Sequence, residues 1–226
     1  MIDVAAAPED GTDAAELSQR LAEVCEEIAW DEQARVVVLA FDGKINLQSF
    51  DQEPIPERIA KLKQPVIAAI RGDATGFGLE LAMACDIRIG TEAARFGLNQ
   101  IRAGSIPCNG GTQRLPRLVG YGRAMQMILT GELIAAGEAI RTGLINRVVA
   151  PNALMDSAME MAREMATKSP LSLSFTKEAL YSGRDLTLDQ GLKMELDLYL
   201  LLFTASDRVE GITAFKEKRK PDFKGE

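Results

Sequence analysis

Residues 65–89 read Pro-Val-Ile-Ala-Ala-Ile-Arg-Gly-Asp-Ala-Thr-Gly-Phe-Gly-Leu-Glu-Leu-Ala-Met-Ala-Cys-Asp-Ile-Arg-Ile. The apolar run Pro65–Ile70 reads as a buried strand, and Asp86–Ile89 as a further strand. Between them lie a Gly-rich turn and a segment that carries one carboxylate, Glu80, among small or apolar residues. If that segment is helical, Glu80 shares a face with Gly76, Phe77, Met83 and Ala84, its i±3 and i±4 neighbours. The other faces are apolar too, and a helix that is apolar all round is buried. A buried ionised carboxylate costs several kcal/mol unless it has partners. Glu80 therefore either has a structural partner or sits in a closed site with a raised pKa. The glycines at the helix start leave backbone N–H groups open to an anion or a developing oxyanion.

Working outward, apolar residues at Leu17, Leu21, Val24, Cys25 and Ile28 predict a helix over 14–28, with Thr12 or Asp13 as its cap. Residues 35–41 predict a buried strand closed by Asp42-Gly43, and Pro54–Leu62 a short helix. Continuous apolar strands alternating with helices imply right-handed crossovers and an at least partly parallel sheet. Beyond Gly110 the patterns are helical over 111–130, 135–143, 153–168, 171–181, 188–203 and 207–218, with one strand at 145–149. The last helices hold Leu188, Met194, Leu196, Leu198, Tyr199 and Leu202. Such a face either forms a subunit interface or packs on the sheet.

The chain has 226 residues, 46% of them hydrophobic, and a net charge of −7. That length fits one large domain or one with a small appendage, and the negative charge argues against general nucleic-acid binding. Histidine is absent, which excludes Ser-His-Asp and Cys-His catalysis and most zinc or haem ligation. Cys25, Cys85 and Cys108 are too few and too scattered for a disulfide framework or a zinc site. No apolar run reaches the roughly 18 residues of a membrane span. Met1–Asp10 lacks the basic and apolar regions of a signal peptide. A cytoplasmic protein without metal or membrane attachment is expected.

Several separate motifs, in order, resemble the crotonase (enoyl-CoA hydratase/isomerase) superfamily. They are the strands and turn of 65–89, the loop Phe96–Leu115 with its Ile-Pro-Cys-Asn-Gly-Gly core, Leu129–Ile134 with Gly143–Val149, and the tail Phe215–Phe223. The resemblance covers about residues 14–223. It implies an α/β fold: a crotonase-like spiral of ββα units over 1–150 that carries the acyl-CoA site, followed by a C-terminal helical trimerisation region over 151–226. The expected assembly is a homotrimer or a dimer of trimers. The substrate it implies is an acyl-CoA thioester, with no cofactor beyond the CoA of the substrate itself. Ile2–Pro8 would be only the end of the family's first strand.

The same resemblance implies an oxyanion hole of two backbone N–H groups that hold the thioester oxygen as it becomes an enolate, a contribution of about 3–4 kcal/mol per donor. Phe77 matches one donor, flanked by Gly76 and Gly78 in the substrate-binding turn. Phe77 itself departs from the common all-glycine version. The second donor falls within Ile45–Ser49, with Leu47 favoured. Hydratases of the family use two glutamates; Glu80 matches the first, and the second position is Gln100. An amide holds a water or a substrate oxygen but does not shuttle a proton at neutral pH. Gln100 thus orients water or substrate, unless it is a loop residue without a role.

Asn109 reads as a helix cap for the segment from Gly110, with a substrate contact as the other reading. Lys216, Lys218, Arg219 and Lys220 form a basic run. It is either a solvated face or, for Lys218 and Arg219, a contact to CoA phosphates. The expected activity is that of a lyase or isomerase with Glu80 as single acid/base, hydrating a conjugated or dienoyl-CoA. The alternatives are a catalytically weak acyl-CoA-binding or assembly protein, and a decarboxylase or hydrolase on the same scaffold.

Overall fold

The computed structural model describes residues 2–5, 14–41 and 54–226, with side chains from Ser18 onward. In chain order the elements are β1 (Ile2–Ala5), α1 (Ala14–Trp30), β2 (Val37–Phe41), α2 (Ile55–Ala60), β3 (Val66–Ile70), β4 (Ala74–Thr75), α3 (Phe77–Ala84), β5 (Ile87–Thr91) and β6 (Arg95–Gly97). There follow α4 (Gly111–Val119), α5 (Tyr121–Thr130), β7 (Ile134–Ala135), α6 (Ala136–Arg141), β8 (Arg147–Val149), α7 (Leu154–Ala166), α8 (Pro170–Gly183), α9 (Leu188–Leu201) and α10 (Ser206–Glu217).

The main sheet has the order β1-β2-β3-β5-β8, and every pairing in it is parallel. Its central strands β2 and β3 are apolar without a break because both faces are covered. Val37, Leu39 and Phe41 with Val66, Ala68 and Ile70 point into one core; Val38, Ile67, Ala69 and Ile89 point into another against α7. The period-2 alternation of side chains thus feeds two layers of helix from one sheet, as covered parallel sheets require. This is the α/β arrangement around a parallel sheet that the strand and helix pattern predicts.

A second, three-stranded sheet, β4-β6-β7, sits beside the first. β4 pairs with β6 in register Ala74↔Phe96 and Thr75↔Gly97, and Gly76 N–H donates to the Gly97 carbonyl. This small sheet was not expected from the sequence. Its strands are two or three residues long, too short to show a period. It matters for function because it ties the start of α3 to the segment that carries Gln100.

One expectation is corrected, and one of the two readings left open for the last helices is set aside. The helix over 111–130 is two helices, α4 and α5, separated by Gly120 at φ +82°. Glycine reaches that conformation without the cost other residues bear, and the break turns the chain. Secondly, α9 does not pack on the sheet. Leu198 is its only buried residue, while Leu188 is 79% exposed and Tyr199 55%. Its principal neighbour is α8.

Candidate active site

α3 starts where the sequence places its glycines. Gly76 precedes it at φ +53°, a left-handed conformation that costs glycine little. Every residue of α3 is buried, Glu80 among them at 1% exposure. The first helical N–H to find an acceptor is that of Glu80, on the Gly76 carbonyl. The N–H groups of Phe77 and Gly78 belong to the first turn, where helix geometry supplies no acceptor. They remain available as donors beside Glu80.

The Glu80 carboxylate is held from two directions. Oε1 accepts the backbone N–H groups of Asn109 at 2.7 Å and Gly111 at 2.9 Å. Oε2 accepts the Nε2–H of Gln100 at 3.0 Å. Burial raises the Glu80 pKa above its ordinary 4.5, and the hydrogen bonds from Gly111 and Asn109 and the charge of Arg114 pull the other way. Burial wins, so the group holds a proton more readily than a surface glutamate. That suits a carboxylate that must both take and return a proton.

The loop that supplies those N–H groups is packed tightly against the carboxylate. A Cβ on Gly111 would lie 2.9 Å from Glu80 Oε1 and 2.7 Å from Pro107 Cβ. Gly110 takes φ +93°, which lets the chain enter α4. Behind the loop, Arg114 donates from Nη1 to the Asn109 carbonyl at 3.1 Å and from Nη2 to Glu57 at 2.9 Å. Sequence reasoning passed over Arg114. In the sequence it is one of two arginines of α4, and only the fold separates the exposed Arg117 from Arg114 at 8% exposure; burial of that kind calls for partners.

The structure brings Gly76, Phe77, Gly78, Glu80, Gln100 and Asn109 together. Gln100 lies 20 residues beyond Glu80 and reaches it because β4 and β6 pair. Asn109 departs from its expected role as a cap. The N-cap of α4 is Gly110 and has no side-chain cap hydrogen bond. Asn109 instead turns its backbone N–H to Glu80 and its side-chain Nδ2 to Cys108 Sγ at 3.3 Å. The exposed Cys108 thiol has a pKa raised by burial and by the Glu80 charge, so it is not poised as a thiolate. Leu47 lies outside the described residues.

The basic run sits at the end of α10, where Lys218 takes a left-handed conformation at φ +54°. Arg219 is engaged by Glu210 at 2.5 Å and Glu217 at 2.7 Å. Two carboxylates already satisfy the arginine that the sequence offered to phosphate. Among the described residues, no helix is long and apolar enough to cross a membrane.

Residues 43–226 match the family model described as enoyl-CoA hydratase/isomerase. Over 175 residues, 77% of this chain and 68% of the relative, the chain is 45% identical to an (E)-benzylidenesuccinyl-CoA hydratase of Thauera aromatica. Over 168 residues, 74% of this chain and 66% of the relative, it is 45% identical to the 2,3-dehydroadipyl-CoA hydratase of Escherichia coli. The matched stretch thus spans about two thirds of the length of these relatives. A crystal structure of an enoyl-CoA hydratase from Bacillus anthracis superposes with a TM-score of 0.92 at 37% identity, covering 99% of this chain and 95% of the other. Fold, motif order and relatives agree that this chain belongs to the enoyl-CoA hydratase/isomerase family, within the crotonase superfamily.

Proposed function

We propose that the chain binds an acyl-CoA thioester and adds water across its α,β-double bond, with Glu80 as the only acid/base. Water attacks the β-carbon and gives a proton to Glu80. The electron pair of the double bond moves through the α-carbon onto the thioester oxygen. The resulting enolate oxygen is held by the backbone N–H of Phe77 and, from the segment after β2, that of Leu47. Protonated Glu80 then returns its proton to the α-carbon, so that one water is added and the carboxylate is regenerated. Gly76 and Gly78 keep the backbone beside the thioester free of side chains, and Gln100 orients the water.

The single observation carrying this reading is the buried Glu80 carboxylate, anchored through Oε1 by two backbone N–H groups with an amide, not an acid, on Oε2. With one carboxylate serving both proton steps, a conjugated or dienoyl acceptor is the favoured substrate, because delocalisation lowers the cost of the enolate. The name of the benzylidenesuccinyl-CoA hydratase is in line with a conjugated acceptor. Assays over a panel of enoyl- and dienoyl-CoA thioesters test it. Faster turnover of the conjugated members is expected, and full activity in Glu80→Gln overturns the role of Glu80.

The absence of a second carboxylate at position 100 favours one other reading, a protein that binds acyl-CoA with little turnover. Calorimetry showing tight binding without product formation would establish it, and turnover near 1 s⁻¹, ordinary for enzymes, would exclude it. In either case the exposed apolar face of α9 fits a homotrimer or a dimer of trimers. Lys218, which no carboxylate engages among the described residues, is the better candidate than Arg219 for a CoA phosphate.

A further inference from the structure

At the C-terminal end of α3, a groove of about 460 Å³ opens between α4, α7 and α8. It is distinct from the Glu80 site, and neither the family resemblance nor the reaction makes use of it. Its walls are apolar, formed by Met83, Ile87, Leu118, Met165, Leu173 and Leu180. That volume lies in the range of small-molecule sites. Its charged lining is of nearly one sign: Arg88, Arg114, Lys177 and Arg184 against the single carboxylate of Asp86. In a chain of net charge −7 this is a local reversal of sign.

The cations are unequal. Lys177 pairs with Asp86 at 2.8 Å and Arg114 with Glu57 at 2.9 Å. Arg88 and Arg184 pair with no carboxylate among the described residues. Arg88, 5% exposed, donates only to the carbonyls of Leu144 and Cys85, each at 2.7 Å. A buried cation that lacks a counter-charge stays costly even when its N–H groups are satisfied. Arg184 stacks on the Tyr181 ring with its guanidinium carbon 4.9 Å from the centroid. The stack holds the guanidinium within the groove lining, and its N–H groups donate to no acceptor among the described residues.

An apolar groove with one unpaired cation buried in its lining and a second carried at its edge is complementary to an aliphatic chain that ends in an anion. We propose that this groove binds a medium-chain aliphatic carboxylate. The tail lies along Leu118, Met165 and Leu173, and the carboxylate takes a forked hydrogen bond from Arg184. The site is separate from that of the thioester. Arg114 alone touches both, since it lines the groove and also holds the Asn109 carbonyl.

The test is calorimetric titration of the full-length protein with decanoate, in the presence of saturating acetyl-CoA to occupy the thioester site. Saturable binding at one site per chain is expected, with decan-1-ol and decylammonium weaker by about tenfold or more. Arg184→Glu and Leu180→Glu, both at exposed positions, are each expected to weaken decanoate by a similar factor with an unchanged far-UV spectrum. Absence of saturable binding, equal affinity for decan-1-ol, displacement by acetyl-CoA, or indifference to both substitutions would each overturn the proposal. Uptake of decanoate only into phospholipid vesicles mixed with the protein would do the same.

Discussion

Gln100 donates its Nε2–H to Glu80 Oε2 across 3.0 Å, while its own Oε1 is buried without a hydrogen-bond partner among the described residues. The amide is therefore set to stabilise the ionised carboxylate, and it holds a spare acceptor for a water or substrate donor. If Glu80 gains a proton, rotation of the amide presents Oε1 to the new O–H. One side chain can then serve both protonation states.

Replacing Gln100 by Met removes that donor at similar volume. The apparent pKa on the acid limb of kcat/KM is expected to rise, because the ionised form of Glu80 loses a hydrogen bond. Replacement by Glu restores an acid pair, and hydration of a simple, unconjugated enoyl-CoA should increase by roughly 10²-fold, the lower end of general acid–base effects. Identical pH profiles and rates in all three proteins would reduce Gln100 to a loop residue.

Glu80→Gln keeps the shape of the side chain and removes its proton chemistry. Turnover should fall by about 10²–10⁴-fold with acyl-CoA affinity retained. Stopped-flow loss of the enoyl-thioester absorbance, beside calorimetry with acetyl-CoA, separates the two quantities.

The same carboxylate leaves a mark on stability. Its folded pKa is raised by burial above the ordinary 4.5, so between those two values the folded chain binds the proton and the unfolded chain does not. The contribution is fully present below pH 4.5 and is lost as pH rises through the folded value. The Tm of the wild type relative to Glu80→Gln should therefore decline over that window and level off above it. A difference that grows with rising pH would contradict the sign.

Gly111→Ala places a methyl 2.9 Å from Glu80 Oε1 and 2.7 Å from Pro107 Cβ. The loop must move, at a cost of about 1–3 kcal/mol, and the two N–H donors move with it. Denaturant titration should show the stability loss, and kcat should fall far more than the Gly122→Ala control, where a Cβ meets nothing within 4 Å.

On α9, Leu192 and Leu196 are 55% and 54% exposed. On the proposed trimeric or hexameric assembly, changing both to Glu should shift the mass by light scattering toward monomer and leave the far-UV spectrum unaltered. An unchanged oligomer mass would remove α9 from the interface.

The large elements were legible because each is long enough to show a period. Val66–Ile70 and α3 both emerge from the apolar run on either side of Gly76. Glu80 was legible for a related reason, being the one charge in a segment with no polar face. The anchoring of its carboxylate was not legible. Two of its three donors are backbone N–H groups, at Asn109 and Gly111, and a backbone donor leaves no trace in side-chain identity. Asn109 was misread for that reason, since an asparagine before Gly-Gly carries the signature of a cap while its main chain does the work. Arg114 was missed because its partners, Glu57 and the Asn109 carbonyl, are close in space only after α2, α3 and α4 have packed.

Because every residue of α3 is enclosed, the helix has no position at which a substitution goes unfelt, and it is a poor place for the reaction to diversify. The stretch 100–106 is different, since Gln100 is only partly buried and Ser105 and Ile106 are exposed. Inheritance can vary that stretch one residue at a time while the Glu80 backbone anchor stays fixed. New chemistry on this scaffold is then written in the second shore of the site, with the first one held constant.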